Sequence, residues 1–108
     1  MKIKHILARS KQAAAIAACS SCPRRHVGCV IIEPTRNVVI MDGYNGPPRG
    51  GGSLCGGDVC LREQGSIASG VGHTNDVGCL HAEVGAVCNA AFQGVSVAGC
   101  WMLITIPP

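Results

Sequence analysis

A stretch in the middle of the chain, from Gly46 to Gly78, cannot form regular core structure and therefore limits how the rest of the chain folds. It contains Pro47-Pro48, three consecutive glycines at 50–52 and the pair Gly56-Gly57. Proline and glycine interrupt helices and strands, and a loop of this length inside a compact domain is usually functional. The stretch is poor in apolar residues but carries cysteines, so we expect a metal ion rather than a core to hold it.

The segments on either side of this stretch have the periodicities of helices and strands. Apolar spacings of three and four residues predict helices from Ile3 to about Ala18 and from Leu80 to Phe92. Runs of β-branched and other apolar residues predict a hairpin of Val27–Ile32 and Val38–Met41, and a third strand at Cys100–Ile106. Alternating strands and helices indicate an α/β domain with a helix-covered sheet.

Composition narrows the class of protein. A chain of 108 residues fits one domain over 1–108, with the glycine-rich stretch as an insert at about 47–79. Apolar residues make up 47% and charged residues 14%, which favours a folded chain. The formal net charge is +3 and no lysine or arginine follows Arg62, so no basic stripe is available for a long nucleic acid.

The chain has no signal for export or for a membrane: charges interrupt the first 18 positions, and no apolar run is long enough to span a membrane. We therefore expect a soluble, cytoplasmic protein.

Eight cysteines would suit a secreted disulfide scaffold, but the first residues do not have the pattern of an export signal. Reduced thiols then favour metal binding. Four cysteines lie in or beside loop-like segments and are candidate ligands: Cys22, Cys55, Cys60 and Cys79. Three lie inside apolar segments, where core packing is expected: Cys29, Cys88 and Cys100. Cys19, at the end of the first helix, fits either group.

The tripeptide His81-Ala82-Glu83 opens the second helix. Positions two apart lie about 200° round a helix axis, but at the helix N-terminus both side chains can reach a pocket over the helix end. There a neutral histidine can bind zinc, and Glu83 can act as proton shuttle to a water whose pKa zinc lowers to about 7. Three residues alone are a weak signal, although zinc deaminases combine His-x-Glu with Pro-Cys-x-x-Cys.

Further landmarks follow one another along the chain: Cys22–Gly28, Gly43–Gly46, Cys60–Glu63, Ala90-Ala91 with Gly94, and Thr105. Together with His81-Ala82-Glu83 they resemble the zinc-dependent deoxycytidylate deaminase family, within the cytidine deaminase-like superfamily. Gly28 is expected where the first strand passes close to another backbone, and Gly43 and Gly46 where a tight turn needs positive φ. The resemblance implies a three-layer α/β/α fold with a mixed sheet, of which the C-terminal part is missing here.

The resemblance also implies a function, hydrolytic deamination of dCMP to dUMP and ammonia in pyrimidine deoxynucleotide metabolism. His81 would bind the catalytic zinc and Glu83 would be the catalytic proton shuttle. Asn45 would contact the substrate sugar, the alternative being an asparagine that only suits a turn. One of three arginines would meet the 5′-phosphate: Arg24, Arg25 or Arg49.

A second, structural zinc in the insert is implied in the same way. Its expected ligands are Cys22, Cys55, His73 and Cys79, with Cys60 as an alternative to His73, and thiolates with an imidazole suit a closed tetrahedral site. The competing interpretation is a set of adventitious thiols. Family members assemble into oligomers, so a homo-oligomer is expected.

Two departures from the family pattern bear on activity. Gly85 stands where the family usually has asparagine, and Thr105-Ile106-Pro107-Pro108 reaches the point where Cys-x-x-Cys should follow. Catalytic zinc needs three protein ligands, so the 108-residue chain alone is expected to be inactive. The alternatives are a sister deaminase of a nucleoside, a tRNA adenosine or a pterin-like base, and a non-catalytic, truncated zinc-binding module.

Overall fold

The computed structural model describes residues 1–22, 25–46 and 80–106. Its elements are α1 (Ile3–Ala17), β1 (Gly28–Glu33), β2 (Val38–Tyr44), α2 (Ala82–Gln93) and β3 (Trp101–Ile104). All five elements expected from the sequence are therefore confirmed, with bounds that differ by a few residues. The insert at 47–79 lies outside the described residues. So do all of the expected structural-zinc ligands except Cys22, and two of the arginines: Cys55, Cys60, His73, Cys79, Arg24 and Arg49.

β1 lies at the centre of a sheet with the strand order β2-β1-β3. It pairs antiparallel with β2 through the predicted hairpin and antiparallel with β3 on its other side. The parallel pairing that a mixed sheet requires does not occur among these three strands. No helix in the described parts of the chain is long and apolar enough to cross a membrane.

The two faces of β1 pack against different helices, which makes the described structure three-layered. Cys29 and Ile31 share a buried cluster with Ala82 and Ala86 of α2. Val30 and Ile32 share another with Ala13 of α1. Because both faces of the strand are covered, its sequence is a continuous apolar run rather than an alternating one.

Gly28 allows α1 to lie directly on the sheet. A Cβ at this position would be 2.0 Å from the carbonyl oxygen of Ala13 and 2.6 Å from the amide nitrogen of Ala17. Both are backbone atoms that no side-chain rotation can move. The expected close approach of the first strand to another backbone is confirmed.

α2 buries a different face from the one its larger apolar residues suggest. The buried residues are small, namely Ala82, Gly85, Ala86 and Ala90, whereas Val84 and Val87 are about half exposed. Cys88 is exposed, so the expectation that it packs in the core is wrong. Gly94, with φ of 70°, ends the helix as predicted.

The pairing of β1 with β3 continues one residue beyond β3 through Thr105. The backbone N–H of Thr105 donates to the carbonyl of Gly28 (3.0 Å), and the N–H of Gly28 donates to Thr105 Oγ1 (3.1 Å). The threonine side chain thus replaces a strand carbonyl where the chain leaves the sheet. Within the described residues β3 is the outer strand on this side, and its Trp101 is 45% exposed.

Candidate active site

His81 and Glu83 lie together at the N-terminal end of α2. His81 is the N-cap residue, with extended backbone, rather than the first helical residue. Its Nδ1 is 3.4 Å from Oε1 of Glu83. The His81 side chain is 66% exposed and that of Glu83 is 23% exposed. The imidazole is thus accessible, and the carboxylate beside it is partly shielded from solvent.

A short backbone bridge brings Asn45 opposite this pair. The N–H of Leu80 donates to the carbonyl of Gly46 (2.7 Å), and the N–H of Gly46 donates to the carbonyl of Leu80 (3.2 Å). Because the bridge is antiparallel, Asn45 and His81 occupy the next pair of positions. Three of the residues predicted from separate parts of the chain, Asn45, His81 and Glu83, therefore lie in one region.

The side chain of Asn45 fixes the backbone of residues 25–27. Its Oδ1 accepts the N–H of Val27 (2.8 Å) and its Nδ2 donates to the carbonyl of Arg25 (2.8 Å). Among the described residues, these bonds leave one N–H and further acceptor capacity on Oδ1 for other partners. Arg25 is exposed and is held beside Asn45 through this carbonyl.

Gly43 places α2 against β2, but not for the expected reason. The glycines with positive φ in the described residues are Gly46, Gly94 and Gly99, so the expectation holds for Gly46 (φ 149°) and is wrong for Gly43. A Cβ at Gly43 would be 2.4 Å from the amide nitrogen of Ala86 and 2.6 Å from the carbonyl oxygen of Ala82. The missing side chain lets the first turn of α2 touch the strand.

Cys29 lies fully buried beneath this region. Burial raises the pKa of its thiol from 9.0 to about 11, and the negative charges of Glu83 and Asp42 add to the shift. The thiol therefore stays protonated at neutral pH, and the expectation of core packing is confirmed for this cysteine. Cys100 is half-buried and packs against the same cluster.

The donors near the end of α2 fit a zinc site in part. The imidazole of His81 is accessible and adjacent to a carboxylate, as a zinc ligand with a neighbouring proton shuttle would be. Within residues 1–22, 25–46 and 80–106, no group of three histidine, cysteine or acidic side chains is placed to hold a metal ion. One accessible imidazole and one neighbouring carboxylate are therefore the donors that these residues offer to a metal site.

The model of the cytidine and deoxycytidylate deaminase zinc-binding region matches residues 2–108. The chain belongs to this deaminase family. A deoxycytidylate deaminase from Schizosaccharomyces pombe is 42% identical over 77 residues, which cover 70% of this chain and 22% of the relative. The matched part of the chain thus spans less than a quarter of the length of that protein.

Solved structures of family members have the same fold. The dCMP deaminase of cyanophage S-TIM5 in complex with dCMP and dUMP is 28% identical, with a TM-score of 0.75 over 100% of this chain and 69% of that one. Its apo form gives 26% identity and a TM-score of 0.71, over 100% and 70%. The cytidine deaminase-like fold and a zinc-binding region are therefore established for this deaminase-family chain.

Two features of this family member were not anticipated from its sequence. The sequence suggests only that Ser20 helps to end α1. In the structure it is 6% exposed, and its hydroxyl donates to the carbonyl of Asn45 (2.9 Å). Gly85 is buried, and a Cβ there would have the Tyr44 carbonyl oxygen as its nearest neighbour, at 3.6 Å. The site therefore has room for a β-carbon at the position of the family's asparagine.

Proposed function

We propose that the protein of which this chain is part hydrolyses dCMP to dUMP and ammonia. The observation that carries the proposal is the meeting of His81, Glu83 and Asn45 across the Gly46–Leu80 bridge. The S-TIM5 relative with dCMP and dUMP bound shares the fold of the whole chain. A scarcity of aromatic residues, at 3% of the sequence, supports a mononucleotide rather than a long single strand as substrate.

Glu83 is the residue that moves protons in this proposal. Zinc held by His81, when bound, would polarise a water molecule for attack. Glu83 accepts a proton at its carboxylate as the bond from oxygen to C4 of cytosine forms, and returns it to the amino group that leaves as ammonia. Its partial shielding keeps the carboxylate close to the reacting atoms and away from bulk water.

Asn45 and Arg25 are proposed to orient the nucleotide. The N–H of Asn45 that is not bonded to the Arg25 carbonyl can donate to a sugar hydroxyl, while the other amide contacts hold the side chain still. Arg25, which is exposed and lies beside Asn45, offers a guanidinium to the 5′-phosphate. Arg24 and Arg49 are the other two candidates from the sequence.

A structural zinc is proposed in addition, with Cys22, Cys55, His73 and Cys79 as ligands and Cys60 as the alternative to His73. A free, buried Cys22 thiol supports this proposal.

The five cysteines of the described residues are all free, which supports an intracellular location. Exposed apolar side chains on α2 and β3 support a homo-oligomer.

The test of the reaction compares Glu83→Gln with Glu33→Gln in a chain extended after Pro108 by the family's Cys-x-x-Cys. Ammonia release from dCMP should fall by about 10²- to 10⁴-fold for Glu83→Gln, while zinc content stays unchanged. Glu33, whose carboxylate accepts N–H groups of its own turn, is the matched control. Near-normal turnover by Glu83→Gln would reject the mechanism, and equal kcat/KM for dCMP and deoxycytidine would reject the nucleotide assignment.

A further inference from the structure

Ser20 is the one polar residue that is buried among the described residues, with 6% of its surface exposed. Its hydroxyl donates to the carbonyl of Asn45 (2.9 Å) and accepts the N–H of Cys22 (3.2 Å). Its own N–H donates to the carbonyl of Ala17 (3.0 Å), the last residue of α1. A buried hydroxyl costs free energy unless it is hydrogen-bonded, and these contacts use it both as donor and as acceptor. The end of α1 is thereby tied to the backbone of Asn45.

The carbonyl that Ser20 binds belongs to the peptide unit between Asn45 and Gly46. Because a peptide unit is planar, the Asn45 carbonyl and the Gly46 N–H turn together. The N–H of Gly46 donates to the carbonyl of Leu80 (3.2 Å), in the bridge that precedes His81. One plane is thus held by the Ser20 hydroxyl at its carbonyl and by Leu80 at its N–H.

Gly46 leaves this peptide plane free to turn. Its φ is 149°, a backbone conformation that residues with a side chain rarely adopt. Space is not the reason for glycine here, because the nearest atom to an added Cβ among the described residues would be Ser21 Oγ at 3.9 Å. Glycine populates positive φ about as readily as negative φ, so a flipped plane is open to the backbone. In the flipped plane the Gly46 N–H would point away from Leu80, and the bridge would lose one of its two hydrogen bonds.

The other hydrogen bonds of Asn45 act on its N–H and its side chain. The N–H donates to the carbonyl of Val27 (3.2 Å), and the side chain bonds the N–H of Val27 and the carbonyl of Arg25, both at 2.8 Å. These bonds attach the residue to positions 25–27 but do not involve its carbonyl. Loss of the Ser20 hydroxyl would therefore act on the bridge and leave the Asn45 side chain attached.

We propose that Ser20 is a positioning residue, whose hydroxyl keeps the Asn45–Gly46 peptide in the orientation that sets Asn45 at a fixed distance from His81. The inference rests on the proposed function, in which Asn45 contacts the sugar of the nucleotide and His81 lies beside its base. A nucleotide can meet both residues only while the bridge between them holds. Ser20 itself does not touch the substrate in this proposal.

Amide hydrogen exchange tests the bridge itself. The zinc-loaded chain extended beyond Pro108 by Cys-x-x-Cys is labelled with nitrogen-15 and compared as wild type, Ser20→Ala and Ser10→Ala. Ser10 is the matched control, because its hydroxyl also donates to a backbone carbonyl, that of Ile6 (2.8 Å), but at an exposed position on α1.

The expected change is local to the bridge. In Ser20→Ala the N–H groups of Gly46 and Leu80 should exchange about tenfold faster, because the flipped plane becomes more populated. The N–H of Thr105, which donates to a β1 carbonyl, should keep its rate and so show that the sheet is folded. Ser10→Ala should change none of these rates.

A pair of substrates tests the consequence for the nucleotide. The 3′-hydroxyl is the free sugar hydroxyl of dCMP, and 2′,3′-dideoxycytidine 5′-monophosphate lacks it. Wild type should turn over dCMP with about tenfold higher kcat/KM than the dideoxy nucleotide, because the latter leaves Asn45 without its hydrogen bond. In Ser20→Ala this ratio should fall close to one, since a nucleotide seated beside His81 no longer brings its sugar to Asn45. A purely structural defect would lower both rates alike and leave the ratio unchanged.

Unchanged exchange of Gly46 and Leu80 in Ser20→Ala would overturn the proposal, and so would an unchanged substrate ratio. Loss of zinc from the variant would also overturn it, because the hydroxyl would then act through the Cys22 loop instead. Equal kcat/KM of wild type for the two nucleotides would reject the sugar contact on which the proposal rests. The proposed function fails separately: wild type itself would then release no ammonia from dCMP, and the exchange rates would still decide whether Ser20 holds the bridge.

Discussion

Gly43 and Gly85 lie where β2 and α2 meet, yet the space around them differs. A Cβ at Gly43 would overlap backbone atoms of α2 at 2.4 and 2.6 Å, whereas one at Gly85 would have its nearest neighbour at 3.6 Å. Gly43→Ala should therefore lower the free energy of unfolding by about 1–3 kcal/mol. Gly85→Ala, in a helix interior, should raise it by about 0.5–1 kcal/mol.

Urea unfolding of the two variants beside the wild-type chain measures both changes. The pair forms its own control, since each adds one methyl group at the same interface. Equal effects of the two substitutions would show that α2 can shift away from β2, and the assigned role of Gly43 would be wrong.

Cys29 makes stability depend on pH in the alkaline range. Its thiol has a pKa of about 11 in the folded chain against 9.0 for an ordinary thiol. Between these values the unfolded chain loses the proton and the folded chain keeps it. The contribution is therefore fully present below pH 9 and declines by up to about 1.4 kcal/mol per pH unit until pH 11.

Urea unfolding of wild type and Cys29→Ala at pH 8, 9, 10 and 11 isolates this contribution, because the two chains differ only in this side chain. The stability difference between the two should shrink as the pH rises from 9 to 11. A constant difference would mean that the folded chain also releases the Cys29 proton in this range.

Single residues with distinctive chemistry were predictable from the sequence. His81 and Glu83 lie together at a helix end as expected, because the helix start is coded locally. The role of Gly43 was not predictable, since a glycine serves positive φ and close approach equally well. Only the position of α2, set by tertiary packing, distinguishes the two.

At the scale of elements, α2 shows why periodicity located the helix but not its buried face. Val84, Val87 and Cys88 recur at helical spacing, and so do Ala82 and Ala86. Larger apolar residues normally face the core, but β2 approaches α2 at Gly43 so closely that only small residues fit between them. The helix is apolar around much of its circumference, and its sequence alone does not decide the orientation.

The junction of β1 and β3 gives a second test at this scale. Thr105→Val should lower the free energy of unfolding by about 1–3 kcal/mol, because it leaves the buried N–H of Gly28 without its acceptor. Thr105→Ser keeps the hydroxyl and should cost much less. Thermal unfolding of the two variants decides the matter, and a loss for Thr105→Ser as large as that for Thr105→Val would show that the hydrogen bond of the hydroxyl does not account for the effect.

For the molecule as a whole, the sequence predicted the order of elements and the helix-covered sheet. On one side β1 pairs with β2, which follows it in the chain after a short hairpin turn. On the other side it pairs with β3, which is distant in the sequence. Local turn chemistry accounts for the first pairing. The second depends on contacts between residues more than 70 positions apart, such as Gly28 and Thr105, and these have no local signal.

The exposed outer strand also gives the molecule a natural optical reporter. Trp101 is the single tryptophan of the chain, and it lies on β3 with nearly half of its surface in solvent. Indole emission shifts to shorter wavelength as the ring leaves water. A further segment of the protein or a second subunit could cover β3. Either one would shift the emission maximum of Trp101, and no added label is needed to see the shift. A shift that grows with protein concentration would identify the second subunit, whereas one independent of concentration would identify a segment of the same chain.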